Sequence, residues 1–357
     1  MTKEIKFYDS KSPFFEFSNY YSSKIAIDGK EYPSSEHYYQ SQKFALPGAS
    51  LKSIEYANII ASAKTANISR ELASQKIKGG YKWRTDLNEV IKKYKDITFD
   101  PVKWDEVKDN VMRKAVFWKF KQNKKLFDIL SSTKTATLIE NSTRDSYWGL
   151  GKDEKGENKL GKILMETRYI LSNHKSNYPI PFIRSNWIIP GILLASAYPG
   201  SPKNDHTNIL EAIIASGINS FVNLMETEEL EKYKSYSPVM EEKKVCTVKD
   251  NIFYAKLPIP DRMVVSDDKL KEMANGIILL IQCQRKILIH CFGGKGRTSS
   301  VVCTVLCELY GITGEESITI VKDLFLTRQD KQDKGKVKHM LTKPQKSQIL
   351  RMYGPSV

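Results

Sequence analysis

No apolar run approaches the ~18 residues that a membrane-spanning helix needs. No cysteine precedes residue 246, and the five that follow (Cys246, Cys283, Cys291, Cys303, Cys307) form no CxxC and no pairing with histidine that suits a metal. Free thiols in a reducing compartment are therefore expected, with no metal and no cofactor. The opening MTKEIKFYDS lacks an apolar signal region, so the expected place is the cytoplasm or the nucleus. Internal repeats, low-complexity tracts and compact runs of Lys and Arg are missing too. The net charge of +15 thus reads in two ways: as attraction for anionic partners such as phosphates or nucleic acid, or as a lysine bias spread over solvated faces. No feature sets an oligomeric state.

What is present is enough for two folded domains: 357 residues, 41% hydrophobic, with 18 tyrosines. The stretch SNHKSNYPIPFIRSN, with two prolines among small polar residues, separates helical from strand patterning. We expect a domain over 1–172, a linker over 173–185 and a second domain over 186–357. In the first, EHYYQSQKFAL and WDEVKDNVMRKAVFWKFKQN carry apolar residues at helical spacing behind a short extended pair, IKFYD and SKIAIDG, which predicts an α-rich α+β fold. In the second, strands (GILLASAY, INSFVNLM, IFYAKLPI, KILIHC) alternate with helices (HTNILEAIIASG, DDKLKEMANGIILLIQCQR, RTSSVVCTVLCELYG). That alternation predicts an α/β domain with a mostly parallel central sheet.

ILIHCFGGKGRTSSVV runs from a strand into a glycine-bearing loop and then a helix. Such a loop turns successive backbone N–H groups, and the positive end of the helix, toward one point. A thiolate at Cys291 is stabilised there. Arg297 can hold two phosphate oxygens at once, and Thr298 puts a hydroxyl beside the sulfur. The implied chemistry is attack on a phosphoryl group and hydrolysis of the phosphocysteine. The leaving group needs an acid, for which Asp261 in PIPDRM stands at a strand end, with Asp267 and Asp268 as further candidates. Cys303 and Cys307, four apart on the following helix, read as core.

HCFGGKGRT fits HCxxGxxR. With WIIPGILLASAYPG and GINSFVNLMETEEL, it makes the chain from about Trp187 onward resemble the cysteine-dependent dual-specificity and protein tyrosine phosphatase superfamily. The resemblance implies Cys291 as nucleophile, Arg297 as phosphate ligand and Asp261 as general acid. Phe292, Gly293, Gly294, Lys295, Gly296 and Thr298 would complete the phosphate cradle, and KPQKSQILRM would supply a water-positioning glutamine, Gln345 or Gln348. Ser299 stands where the family usually has glycine, and the residues after Asp261 lack the proline often found in the acid loop. Lys295 adds a second positive charge, as in members acting on heavily phosphorylated non-protein substrates.

In the cysteine-free half, Glu36, Gln40 and Lys43 fall on one helical face, which reads either as a solvated stripe or as a site. FSNY, PSSEHYYQSQKF, WDEVKDNVMRKAVFWKF, DSYWGLG and GENKLGKILME occur in the order and at the spacing of the NADAR family, which residues 5–172 resemble. Its members are N-glycosidases of ADP-ribosyl or phosphoribosyl compounds. The resemblance implies Glu36 or Asp145 as the carboxylate that stabilises positive charge on the ribose or activates water, and Trp104 and Trp148 as stacking faces. It also implies Lys43 as phosphate ligand or Schiff-base amine, and Gln40, Arg113 and Asn158 as substrate-binding positions. Each has a bland alternative: Trp104 as core, Asp145 as a turn cap, Arg113 and Lys114 as surface charges, Asn158 as a helix cap, His37 as structural. Together the halves imply a bifunctional enzyme. The expected substrate is a phosphorylated ribosyl small molecule, such as an ADP-ribose derivative or a ribosylamino-pyrimidine of riboflavin synthesis, or else ADP-ribosyl-guanine in nucleic acid. The alternatives are a phosphatase whose first half is a recognition module, and two unrelated activities joined in one chain.

Overall fold

Alternation in EIKF buries Ile5 and Phe7 and exposes Glu4 and Lys6, the pattern of a half-buried strand, β1 (Glu4–Phe7). β2 (Ile25–Ile27) and β3 (Lys30–Tyr32) form a hairpin whose turn, Asp28-Gly29, has positive φ at both residues, as a tight I′ turn requires. The two extended segments expected ahead of the helices do not pair with each other. β1 instead pairs in parallel with β4 (Thr137–Glu140), which sets Phe7 opposite Glu140. Long-range parallel pairing leaves no local pattern in sequence, so this partner was not legible there.

The computed structural model describes residues 3–74, 85–172, 178–201, 209–233, 246–249, 252–331 and 340–354. Residues 173–177 of the expected linker, 206–208 of HTNILEAIIASG and the Cys246 side chain lie outside them. The chain divides into two units, Met1–Arg168 and Tyr169–Val357. The first carries helices α1 (Ser35–Gln42), α2 (Leu51–Ala61), α3 (Ala66–Ser74), α4 (Thr85–Lys93), α5 (Pro101–Gln122), α6 (Lys124–Ser132) and most of α7 (Lys159–Ser172). α5 starts where Asp100 accepts from the amides of Val102 and Lys103 with Pro101 in the first turn, a strong start signal for a helix. A core of Phe44, Tyr56, Ile60, Leu72 and Tyr94 holds α2, α3 and α4 together.

The second unit is built on β5 (Ser185–Ile189), β6 (Leu193–Ser196), β7 (Ser220–Asn223), β8 (Cys246–Lys249), β9 (Ile252–Lys256) and β10 (Ile287–His290), in the spatial order β5-β6-β10-β7-β9-β8. β6, β10, β7 and β9 are mutually parallel and the two edge strands antiparallel. Every residue of ILIH in β10 is buried, because helices cover both faces of such a sheet. Those helices are α8 (Ile209–Ala215), α9 (Thr227–Leu230), α10 (Asp267–Gln282), α11 (Gly296–Tyr310), α12 (Gly314–Leu326) and α13 (Lys343–Met352). The unit is an α/β fold with a mostly parallel sheet, as its alternating pattern predicts. Among the described residues no helix is long and apolar enough to cross a membrane.

Candidate functional site

Ligands of open parallel sheets gather at the carboxyl ends of the strands. Three adjacent strands of the second unit deliver one ionisable side chain each there: β10 leads to Cys291, β7 to Glu229 on α9, and β9 to Asp261. Arg297, in the first turn of α11 and 2% exposed, joins them. Its Nη1 and Nη2 donate to the two carboxylate oxygens of Glu229 at 2.5 and 2.9 Å, Nη1 also donates to the Ile259 carbonyl at 3.2 Å, and Nη2 lies 3.1 Å from Asp261. Burial opposes the charge on Glu229, but the hydrogen bond from Arg297, the Glu226 amide and the Arg297 charge together hold its carboxyl below the usual carboxylate range. Glu229 was not singled out in sequence, because METEEL offers several acidic residues and no spacing rule selects one.

A cavity of about 260 Å³ is lined by Cys291, Phe292, Gly293, Lys295, Gly296, Arg297, Asp261 and Gln345, among others. Two glycines shape the loop. Gly294 has φ +61, and a Cβ there would lie 2.4 Å from the Ser196 carbonyl; a Cβ on Gly296 would lie 2.5 Å from Gln345 Oε1. Thr342 and Gln345 form the capping box that starts α13, and this box sets Gln345 against the loop. Gln348 is held elsewhere, donating to the Val265 carbonyl at 2.7 Å and to Asp267 at 2.9 Å. Asp267 is also paired with Arg351 at 2.5 Å. Thr298 lines a separate small cavity behind the loop, with Ser299 and Gly294. Also behind the loop, the fully buried Arg328 donates to the Gly293 carbonyl at 3.4 Å and pairs with Asp330. His290 is buried outright, and burial lowers its pKa to about 3, so the imidazole under Cys291 is neutral. Cys303 and Cys307 are buried in α11, where burial pushes both thiols upward, Cys307 to about 12.

In the first unit α1 breaks a local rule: SEHYYQSQ is polar, yet Ser35 through Ser41 are all buried. A buried polar helix is where function is expected to override packing preference. Glu36 is 5% exposed and accepts from Gln40 Nε2 at 2.8 Å, so the predicted shared face exists, and Lys43 extends it at the helix end. Burial raises the Glu36 carboxyl against the opposing influence of Gln40, Lys43, Arg70 and Tyr20. The Lys43 ammonium lies 5.8 Å from the Trp104 ring centre, 5.6 Å from Phe99 and 6.0 Å from Tyr39, and burial lowers its pKa despite Glu36. Tyr39 meets both tryptophans edge-on, Trp104 at 4.9 Å and Trp148 at 5.5 Å; Trp104 is buried and Trp148 half-buried.

The other predicted positions have visible tasks. Asp145 Oδ1 accepts from the amides of Tyr147 and Trp148 at 2.9 and 2.8 Å, the turn-capping arrangement. Asn158 clasps the edge of β4 away from β1, accepting from the Glu140 amide at 3.0 Å and donating to the Leu138 carbonyl at 2.9 Å, rather than capping α7 with its side chain. Both ring nitrogens of His37 are engaged, by Ser34 at 2.8 Å and the Ala63 carbonyl at 3.0 Å. Lys114 pairs with Asp28 at 2.8 Å. Arg113 is buried in an ion pair with Glu166 at 3.0 Å and donates to Asn110 at 2.9 Å. Removing one partner of such a pair strands the other charge, so Arg113→Met should cost about 3–5 kcal/mol, and Arg113→Met with Glu166→Leu should recover most of it. Denaturant unfolding of the three proteins checks this.

Sequence reasoning missed Tyr20, Arg70, Glu140 and Lys119. Tyr20 sits in FSNY, and its hydroxyl bears on Glu36 and Glu140. Lys119 is fully buried, holds the Ser18 carbonyl of that loop at 2.7 Å, and is lowered by burial to about 7. Two quoted motifs held one each, FSNY with Tyr20 and WDEVKDNVMRKAVFWKF with Lys119; Arg70 and Glu140 lie in none.

Residues 6–172 match the NADAR domain, and residues 183–355 match the Swiss Army Knife protein DSP-PTPase phosphatase domain. The chain is 33% identical over 171 residues to N-glycosidase YbiA of Escherichia coli, covering 48% of this chain and 90% of that protein. A riboflavin biosynthesis protein of Vibrio vulnificus is 31% identical over 185 residues, covering 52% of this chain and 43% of that protein. Among solved structures, YbiA of Escherichia coli aligns at 30% identity with a TM-score of 0.38, covering 50% of this chain and 93% of that one. The phosphatase Tk-PTP aligns at 22% identity with a TM-score of 0.34, covering 47% and 95%. The chain therefore belongs to the NADAR family through its first half and joins to it, in its second, a phosphatase domain of the DSP-PTPase kind.

Proposed function

We propose that the chain is a bifunctional hydrolase in which residues 1–172 cleave the N-glycosidic bond of an ADP-ribosyl or phosphoribosyl compound and residues 186–357 remove phosphate through a phosphocysteine, with 173–185 between them. One observation in each half carries the reading. In the second, Cys291, Arg297 and Asp261 line one cavity, the set needed for attack, phosphate binding and leaving-group protonation. In the first, a buried carboxylate, Glu36, shares its face with Gln40 and Lys43 beside the Tyr39, Trp104 and Trp148 rings. Departure of a base from C1 of ribose leaves positive charge on the sugar, which an adjacent carboxylate stabilises.

The similarity to proteins named as N-glycosidases supports cleavage of an N-glycosidic bond, and that to a riboflavin biosynthesis protein fits a phosphoribosylamino-pyrimidine; ADP-ribosyl-guanine in an oligonucleotide is the other substrate we propose. The purified protein should release the ribosyl group from one of the two, read by mass spectrometry, and should hydrolyse an aryl phosphate. No change in either ribosyl substrate would overturn the glycosidase half. A nucleic-acid substrate predicts binding that weakens steeply with salt; a small molecule predicts a shallow dependence. The first half as a recognition module is the second reading, favoured by one fact: Asp145 spends Oδ1 on its own turn.

A further inference from the structure

Three polar side-chain atoms around Glu36 are sealed from solvent and have no hydrogen-bond partner among the described residues: Gln40 Oε1, Arg70 Nε and Glu140 Oε2. Gln40 is 95% buried by residue area, only 5% exposed, and its other amide atom is fixed on Glu36, so the free oxygen is held in place. Unmade hydrogen bonds of this kind each cost on the order of 1–3 kcal/mol, so three of them on residues that bear on or bond to Glu36 are consistent with groups kept for a ligand. An acceptor, a donor and a carboxyl complement a sugar with its hydroxyls and leaving group.

Glu140 stands apart from the other two carboxylates. Its backbone is fixed on both sides, the amide donating to Asn158 and the carbonyl accepting from Leu150 N at 3.1 Å. Its side chain ends the parallel β1–β4 pair and has none of the partners that Glu36 finds in Gln40 or Asp145 in its turn amides. The groups that bear on it are Asp145 from the following loop, Glu36 from α1 and Tyr20 from FSNY; Tyr8 and Arg70 act in turn on Tyr20, and Arg70 and Lys43 on Glu36. Burial first, then the charges of Asp145 and Glu36, raise the Glu140 carboxyl to about 8. Burial raises Glu36 as well, but Gln40, Lys43, Arg70 and Tyr20 oppose it there, whereas the neighbouring charges add to the burial of Glu140; carboxyls in such unequal surroundings divide into an acid and a base.

We propose that Glu140 is the acid of the glycosidase centre: it enters the reaction protonated and gives that proton to the nitrogen leaving C1. The assignment rests on the N-glycosidase reading above. The C1–N bond breaks with its electron pair going to nitrogen, which takes the Glu140 proton. Water then forms the C1–O bond as its proton passes to Glu36; Tyr20, whose hydroxyl bears on both carboxylates, takes that proton from Glu36 as it passes its own to Glu140, so Glu36 is again ionised and Glu140 again protonated. The net change is one water consumed and one N–H formed.

The test compares the full-length protein with Glu140→Gln and Glu140→Asp on the ADP-ribosyl-guanine oligonucleotide and the phosphoribosylamino-pyrimidine. Glu140→Gln should lose about 10²–10⁴-fold in kcat, and the fall in wild-type kcat above pH ~8 should be absent from its residual rate. Glu140→Asp should restore part of the rate together with an alkaline limb. Difference infrared spectra at pH 7 should show a protonated-carboxyl band that Glu140→Gln removes, and this readout needs no substrate. Should Glu140→Gln not fold, the Glu140→Asp profile and its shifted band carry the comparison. A Glu140→Gln protein keeping more than a tenth of the rate, or an unchanged infrared spectrum, would overturn the Glu140 assignment and leave the glycosidase standing. An intact protein that turns over neither substrate overturns both.

Discussion

Cys291→Ser should reduce phosphate-ester hydrolysis by on the order of 10⁶-fold, the scale on which covalent hydrolases lose rate when the nucleophile goes, while phosphate binding persists. The separation follows from how the site is built. Cys291 is set by β10, whose four residues are fully buried, so the sulfur's position does not depend on its own chemistry. Arg297, the proposed phosphate ligand, is set independently by α11 and by its two bonds to Glu229. A serine oxygen in the same place keeps the cradle and loses the sulfur that, on the proposed reading, attacks phosphorus. Asp261→Asn is expected to act differently, because it removes a proton donor from a residue that also faces Arg297. Its loss should be about 10²–10⁴-fold for esters of poor leaving groups and much smaller for an activated aryl phosphate. Steady-state rates on an alkyl and a nitrophenyl phosphate, with an isothermal titration of inorganic phosphate into Cys291→Ser, check both. Full activity in Cys291→Ser would remove the phosphocysteine from the mechanism.

The two sites differ in how much of them could be read from sequence, and the difference is physical. The phosphate cradle is contiguous: strand, loop glycines and helix follow one another from Ile287 to Tyr310, so spacing alone carries the geometry. Asp261 was legible because a strand pattern ended just before it. Glu229 was not, because its value depends on β7 lying between β10 and β9, a matter of strand order. The glycosidase centre is assembled almost wholly from such distant meetings. Tyr20 reaches Glu36 from a loop pinned by Lys119, which lies 101 residues beyond Ser18 in sequence. Glu140 arrives through the pairing of β4 with β1 and the clasp of Asn158. Arg113 shows the opposite case, a cation that suggests a substrate-binding position in sequence and is engaged by Glu166 in the fold. Residue type and helical face were visible for it; the partner on α7 was not.

Glu36→Gln should lower ribosyl release by about 10²–10⁴-fold, equivalent to roughly 3–5 kcal/mol of transition-state stabilisation, with ligand affinity changed little. The substitution is isosteric, and Gln40 Nε2 can still donate to the new side-chain oxygen, so α1 keeps its hydrogen bond. What disappears is the negative charge that a ribosyl cation would meet, together with the group that takes a proton from water. Because a ground-state ligand carries no such charge on C1, affinity is not expected to fall with the rate; a centre that only recognised its ligand would show no rate to lose. The same variant reports on the neighbouring acid. The Glu36 charge helps to raise the Glu140 carboxyl, so removing it lets that pKa fall, and the alkaline limb of the residual activity should move to lower pH. Lys43 shifts in the same sense: Glu36 partly offsets the burial that lowers the lysine, and without Glu36 its ammonium is disfavoured further. A pH series on Glu36→Gln beside the unaltered protein, with a ligand titration at each end, separates these effects. An unchanged limb would show that Glu36 and Glu140 titrate independently, and an unchanged rate would move the reaction away from Glu36 altogether.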